Sequence, residues 1–205
     1  MNEAVTYLSN HYYSKQPDVA SNKQRHEWEL RGFKLTFTTD AGVFSKAGVD
    51  YGSQVLIKAM EFAEDATVLD VGCGYGPIGI TAAKLAPQGH VTMIDVNERA
   101  VELSKWNAAQ NGVHNVTVLQ SDLYEAVKDE TFDCIISNPP IRAGKSVVHQ
   151  IFEQGYQLLR SGGSMWIVIQ KKQGAPSAKE KLESLFVEVV EVTKDKGYRI
   201  FKATK

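Results

Sequence analysis

"TVLDVGCGYGPIGITAAKLA", residues 67–86, decides the fold. It opens with a short apolar, β-branched run, the pattern of a buried strand. Pro77, a favoured first-turn residue, then starts a helical stretch. Between them lies a turn rich in glycine, at Gly72, Gly74, Gly76 and Gly79. Glycine lets a backbone bend tightly and come close to a ligand. A strand, a glycine loop and a helix in that order form the setting in which such loops cradle nucleotide-like cofactors.

The same alternation continues downstream. "HVTMIDV" (90–96), "NVTVLQ" (115–120), "FDCIIS" (132–137) and "SMWIVIQ" (164–170) read as strands. "ERAVELSKWNAAQNG" (98–112) reads as a helix stopped by Asn111-Gly112, and "SVVHQIFEQGYQLLRSGG" (146–163) as a helix ended by Gly162-Gly163. A helix over about 176–186 leads to "FVEVVEV" (186–192) and "YRIFKAT" (198–204). The polar turn "TKDKG" joins these two strands, which should pair antiparallel. Repeated β-α units imply an α/β, doubly wound, mostly parallel sheet with helices on both faces. Ligands of such sheets bind beyond the carboxyl ends of the strands. Upstream, "HEWELRGFKLTFTTD" (26–40) alternates about Arg31-Gly32 and reads as a β-hairpin. "YGSQVLIKAMEFA" (51–63) has helical spacing. The first 25 or so residues are polar and irregular, with Tyr7, Tyr12 and Tyr13. Residues 1–50 are expected to form an extension carrying the hairpin, and 51–205 the cofactor-binding domain, in one globular unit.

Composition excludes several classes. Hydrophobic content of 43% and charged content of 23% are ordinary for a soluble chain. No apolar run is long enough for a membrane span, and no signal peptide is visible. Two cysteines, Cys73 and Cys134, make no disulfide framework, so a reducing, cytoplasmic setting is expected. No Cys/His cluster has metal-ligand spacing. A net charge of −1 argues against a protein that coats nucleic acid electrostatically. Residues 170–205, however, hold nine Lys or Arg against five Asp or Glu, and this segment could face a phosphate backbone.

The loop alone leaves two cofactors open. Gly74, Gly76 and Gly79 satisfy the dinucleotide pattern G-x-G-x-x-G, and S-adenosylmethionine also binds glycine loops. Charge separates them. Asp70, at the end of the first strand, would repel a pyrophosphate but favours the ammonium and sulfonium of the methyl donor. Asp95 ends the second strand and can accept from both ribose hydroxyls. Asp122 follows the third strand and can accept from an adenine amino group, with Val96 and Leu123 packing near the ring. Asp95 and Asp122 could each instead cap a helix, and Asn97 could serve in place of Asp95. Three acids, one after each of three consecutive strands, are more specific together than singly.

"DVGCGYG" (70–76), Asp95, "SDLY" (121–124) and "SNPP" (137–140), in that order, make the chain resemble the class I S-adenosylmethionine-dependent methyltransferases. Phe37–Ile57, "FTTDAGVFSKAGVDYGSQVLI", is similar to the small-domain ribosomal RNA guanine-N2 methyltransferases. The resemblance implies a seven-stranded sheet with its final strand antiparallel, and Phe44 and Ser45 bordering the cofactor pocket. It places Gly72, Cys73, Gly74 and Gly76 in the cofactor loop, and RNA as partner. Two departures stand out. Well-known members carry a second, degenerate domain, which is not expected among these 205 residues. They also commonly have Phe-His after the Asn-Pro-Pro, where this chain has Ile141-Arg142.

Asn138, Pro139 and Pro140 supply the expected catalytic group. The lone pair of an exocyclic amine on a purine is delocalised into the ring. Acceptors on both its N–H groups would aim that pair at a methyl carbon. The Asn138 side-chain carbonyl and the Pro139 backbone carbonyl are two such acceptors, and the prolines stiffen the turn. The chemistry is then positioning and electrostatics, with no strong base. Guanine N2 is the expected target. Adenine N6, a protein glutamine amide, and a non-catalytic S-adenosylmethionine-binding module stay open. Arg142 and Lys145 could meet an RNA phosphate. Tyr75 and Trp106 are expected to serve as pocket wall and helix packing rather than as base-stacking platforms, and His149 and His114 as ordinary helix and loop histidines.

Overall fold

Strand β3 (Thr67–Val71) is buried on both sides, with Asp70 the one charged group among its apolar residues. The computed structural model describes residues 19–205, so Tyr7, Tyr12 and Tyr13 lie outside the described residues. Upstream of β3 come the hairpin strands β1 (Gln24–Leu30) and β2 (Phe33–Thr39), then helix α1 (Tyr51–Ala59). Downstream the chain alternates: α2 (Pro77–Leu85), β4 (His90–Asp95), α3 (Glu98–Gln110), β5 (Val116–Gln120), β6 (Phe132–Ser137), α4 (Lys145–Leu158) and β7 (Leu159–Gln170). It ends with α5 (Ala175–Glu183), β8 (Glu188–Asp195) and β9 (Tyr198–Thr204).

The seven-stranded sheet runs in the order β5-β4-β3-β6-β7-β9-β8. Strands β3 to β7 pair parallel, while β9 runs antiparallel to both β7 and β8. This is the doubly wound, Rossmann-like methyltransferase sheet, with the antiparallel last strand and the N-terminal hairpin expected from sequence. Alternate residues divide the core in two. Val68, Met93, Ile136 and Val168 pack with α1, α2, α3 and the hairpin. Leu69, Ile94, Ile135 and Ile167 pack with α4 and α5 on the other face.

Several boundaries differ from the sequence reading. Helix α1 stops at Ala59 because Met60 takes extended geometry and its N–H caps back to the Leu56 carbonyl. Helix α4 ends at Leu158, not at Gly162-Gly163. Leu159 already pairs with Phe132, and the glycines form an irregular stretch within β7. Gly162 holds φ at +76°, and its N–H donates to the Lys205 carbonyl at 3.0 Å, while Lys205 N–H returns a bond to the Gly163 carbonyl. A turn signal therefore marks a strand irregularity here rather than a helix stop.

Both hairpins turn on two residues with positive φ, Arg31-Gly32 and Lys196-Gly197, the geometry that matches strand twist. The β1–β2 hairpin is held against α3 by two asparagines one helical turn apart, Asn107 within the helix and Asn111 at its C-cap. Asn107 Oδ1 accepts from Thr38 N–H, and Asn111 Oδ1 from Thr36 N–H, both at 2.8 Å. Their amide groups donate to the carbonyls of the same two threonines. The asparagines thus complete the edge of β2 as a neighbouring strand would. Asn107 also donates to the Tyr75 carbonyl, tying the hairpin to the glycine loop.

Asn107 is fully buried, and removing its amide leaves three backbone groups without partners. Asn107→Ala should lower unfolding free energy by roughly 2–4 kcal/mol. Urea titration checks this; a loss below about 0.5 kcal/mol would contradict the role.

Candidate active site

The carboxyl edge of the sheet carries the expected site residues. At the end of β3 the chain turns through Gly72 and Gly74, with φ of +74° and +58°. A Cβ at either position would meet nothing within 4 Å, so the loop borders open space. Gly79 plays a different part: a Cβ there would run into Met93 and Asp70, so its absence lets α2 lie against β4.

Two carboxylates hold this loop from within. Asp70 is fully buried, and its Oδ2 accepts from Gly79 N–H at 2.8 Å. Its Oδ1 is buried without a partner among the described residues. Burial pushes the Asp70 carboxyl up to about 7, against the Gly79 hydrogen bond and reinforced by the charge of Asp95. Asp95 is half-buried. Its Oδ2 accepts from Gly74 N–H at 2.8 Å and its Oδ1 from Asn97 N–H at 2.9 Å. Burial raises this carboxyl too, opposed by those backbone bonds. Asn97, not Asp95, caps α3, as its side chain accepts from Arg99 and Ala100 N–H.

These bonds bear on the choice of cofactor. A pyrophosphate at a glycine loop needs free N–H groups at the helix start. Here carboxylates already occupy the N–H groups of Gly74 and Gly79, which repels an anion and attracts a cation. The unpartnered Asp70 Oδ1 is a buried acceptor suited to a cationic donor. The residues present therefore fit S-adenosylmethionine, with its ammonium and sulfonium.

The remaining expected residues surround the same edge. Val96 and Leu123 are half-buried, and Asp122 is exposed. Leu123 holds φ at +50°, and Ser121 secures this turn by accepting from Ala126 N–H and donating to the Leu123 carbonyl. Phe44 is 40% exposed, and Ser45, at φ +56°, donates from its hydroxyl to the Gly48 carbonyl. Cys73 is a buried thiol turned toward Ser104 on α3, and its N–H bonds the Ile94 carbonyl. Burial drives its pKa well up, so it is a packing thiol in this state. Tyr75 is buried in the core, edge-on to Phe37, whereas Trp106 is 62% exposed and does not serve as helix packing. Trp106 lies on the outward face of α3, opposite the residues that meet the sheet.

Asn138 follows the last residue of β6. Ser137, fully buried, donates to the Val71 carbonyl at 2.8 Å, so the ends of β6 and β3 are pinned together. The Asn138 amide nitrogen donates to Ser53 Oγ at 3.1 Å and faces both Asp50 oxygens at 3.3 and 3.4 Å. A carboxylate can only accept, so Asp50 fixes which end of the amide it meets. The carbonyl end of Asn138 is left without a protein partner among the described residues. The Pro140 carbonyl accepts from Ala143 N–H at 2.9 Å, closing a short 3-10 turn over Ile141–Ala143. No backbone N–H bonds the Pro139 carbonyl among the described residues.

Sequence reasoning missed Asp50 and Ser53 as partners of Asn138. The available signal was the cap motif itself: Asp50 is the N-cap of α1 and accepts from Ser53 N–H. Gly52 between them is required by packing, since a Cβ there would lie 2.8 Å from the Tyr198 ring.

Comparisons with known proteins bear on the family and the fold. The family model "Methyltransferase small domain" matches residues 34–202. The chain is 58% identical over 200 residues to the uncharacterized protein YbxB of Bacillus subtilis (strain 168), covering 97% of this chain and 100% of that protein. It is 38% identical over 158 residues to Ribosomal RNA small subunit methyltransferase C of Escherichia coli O1:K1 / APEC, covering 75% of this chain and 45% of that protein. Its fold is similar to that of the T. thermophilus 16S rRNA N2 methyltransferase RsmC in complex with AdoMet and guanosine. There the TM-score is 0.81 at 25% identity, over 92% of this chain and 52% of that one. The chain thus spans about half the length of these two ribosomal RNA enzymes. By its sequence and its fold, this chain belongs to the methyltransferase small-domain family of S-adenosylmethionine-dependent methyltransferases.

Proposed function

We propose that the protein methylates an exocyclic amine of RNA, the N2 group of a guanine in ribosomal RNA. The observation that carries this reading is the orientation of Asn138. Its amide nitrogen is held by Asp50 and Ser53, so its carbonyl oxygen is presented outward as an acceptor. The Pro139 carbonyl is the second acceptor. Together they would take both N–H groups of an amine and turn its lone pair out of conjugation toward the donor. The likeness to two ribosomal RNA methyltransferases supports RNA as the substrate.

Bound at this edge, S-adenosylmethionine supplies an electrophilic methyl group on a sulfonium. Asp70 would favour its cationic end, and Asp95 would accept from the ribose hydroxyls through the second lone pair on each oxygen. Gly72, Cys73, Gly74 and Gly76 would let the backbone pass close beneath it. Val96 and Leu123 would pack on the adenine ring, Asp122 would accept from its amino group, and Phe44 and Ser45 would border the pocket. With Asn138 and Pro139 holding the amine, its nitrogen would take the methyl carbon while the carbon–sulfur pair leaves with sulfur. The methylated nitrogen would then lose a proton to water, which needs no strong base because the product amine is only weakly basic.

The direct test supplies labelled methyl donor to naked ribosomal RNA, ribosomal subunits and total protein, followed by mass analysis of the labelled product. Label in N2-methylguanosine is expected. Label only in N6-methyladenosine or in a glutamine amide would overturn the guanine reading.

Burial of Asp70 also predicts how donor binding depends on pH. Below about 7 the free protein carries a proton on Asp70, whereas the complex with a cation favours the carboxylate. Binding therefore releases a proton, and affinity rises with pH through this range. Titration calorimetry from pH 5.5 to 7.5 should show affinity falling by up to about tenfold per unit below 7. Asp70→Asn should bind more weakly with a flat profile, and a wild-type profile equally flat would contradict the role.

A further inference from the structure

Strands β7 and β9 carry a cluster of cations to the same carboxyl edge that presents Asn138. Gln170 at the end of β7 pairs with Tyr198 at the start of β9. The β8–β9 turn and the short turn after β7 are therefore neighbours, and Lys171 N–H bonds the Gly197 carbonyl at 2.7 Å. A cleft of about 320 Å³ lies between them, lined by Lys171, Lys194, Lys196 and Arg199 with Asp195. Lys171, Lys172, Lys194 and Lys196 are all exposed. Lys171, Lys172 and Lys194 make no ion pair among the described residues. Arg199 is paired with Glu191 at 3.0 Å. Asp195 accepts from the Tyr51 hydroxyl at 2.6 Å. The cluster thus keeps a clear positive excess on a chain whose net charge is −1.

The turn is also tied to the active site. Lys196 Nζ stands 4.5 Å over the Tyr51 ring, and Tyr51 packs at a tilt against Tyr198. Tyr51 follows Asp50, the residue that holds Asn138. Between the short turn after Pro140 and the start of α5 lies a second cavity of about 180 Å³, with Ile141, Val148 and Ile169 on its walls beside Lys145, His149 and Gln173. Arg142 and Lys145 stand exposed on the near side of that cavity. Strand spacing of about 4.8 Å puts the lysine turn some 10–15 Å across the sheet from β6. A few nucleotides span that distance.

The geometry points to a binding track for the RNA phosphate backbone, running from Arg142 and Lys145 across the second cavity to Lys171, Lys172, Lys194 and Lys196. It rests on the RNA reading above and adds where the strand flanking the target nucleotide lies. Lysine contacts of this kind supply sequence-independent affinity and fix register, leaving base recognition to the pocket. Rigid attachment of the turn to Tyr51 sets the distance from gripped phosphate to Asn138.

The test measures binding of a fluorescein-labelled ribosomal RNA fragment by anisotropy over a series of salt concentrations, without methyl transfer. The variant Lys194→Glu/Lys196→Glu is compared with wild type and with Lys34→Glu/Lys58→Glu. The latter makes the same charge change at exposed sites away from the carboxyl edge. The edge variant should bind at least tenfold more weakly, with the slope of log affinity against log salt reduced by about 1.4, or 0.7 per contact. Affinity for S-adenosylmethionine should be unchanged in both variants, which shows that they are folded. If both reversals weaken RNA binding equally, or neither does, the track is wrong while the RNA reading stands. If wild type binds no RNA, the RNA reading falls and the track with it.

Discussion

A carboxylate has no hydrogen to donate, and much of this site follows from that fact at Asp50. Because Asp50 can only accept, the Asn138 amide must turn its nitrogen inward and its carbonyl outward. Asp50 is itself held as the N-cap of α1, whose first turn is close enough to β9 that only glycine fits at residue 52. Ser137 pins the other side of the same turn to the end of β3. Helix α1, the last strand and the central strand therefore converge on one amide group. The prolines contribute less than the sequence alone suggests. They keep the turn short, but the direction of the acceptor comes from a residue 88 positions earlier.

The same logic governs the glycine loop. Carboxylates at the ends of β3 and β4 take the N–H groups that an anion-binding loop would leave open. The cost is a buried acid at Asp70 with one oxygen unpartnered, a group that burial holds protonated up to about 7. A cation bound nearby would favour its charged form. The loop is thereby matched to a positively charged donor, although its glycine spacing alone also suits a dinucleotide.

The sheet was legible in the sequence because its signals are local. Strand β3, its loop and α2 follow from a β-branched run, glycines and Pro77, and the antiparallel end of the sheet from the polar turn between β8 and β9. The acids after the strands were legible for the same reason. Contacts made by side chains across the fold were not. Asn107 reads as an ordinary helix residue and Asn111 as part of a helix stop, yet both complete the edge of β2. Asp50 and Ser53 could be quoted as a motif without their partner being visible. Gly162-Gly163 carried a stop signal that a strand irregularity uses equally well, so the end of α4 fell several residues late. Trp106 was placed in packing on its residue type, while the register of α3 turns it to solvent.

The most direct test of the oriented acceptor is single-turnover methyl transfer by Asn138→Ala and Asp50→Ala, measured beside the affinity of each for S-adenosylmethionine. Asn138→Ala should lose about 10²- to 10³-fold in rate, the scale seen when one positioned hydrogen-bonding group is removed. Asp50→Ala should also slow transfer, by less, because Ser53 still holds the amide nitrogen. Donor affinity should stay close to wild type in both. Transfer at the wild-type rate in Asn138→Ala, with donor affinity intact, would contradict the account.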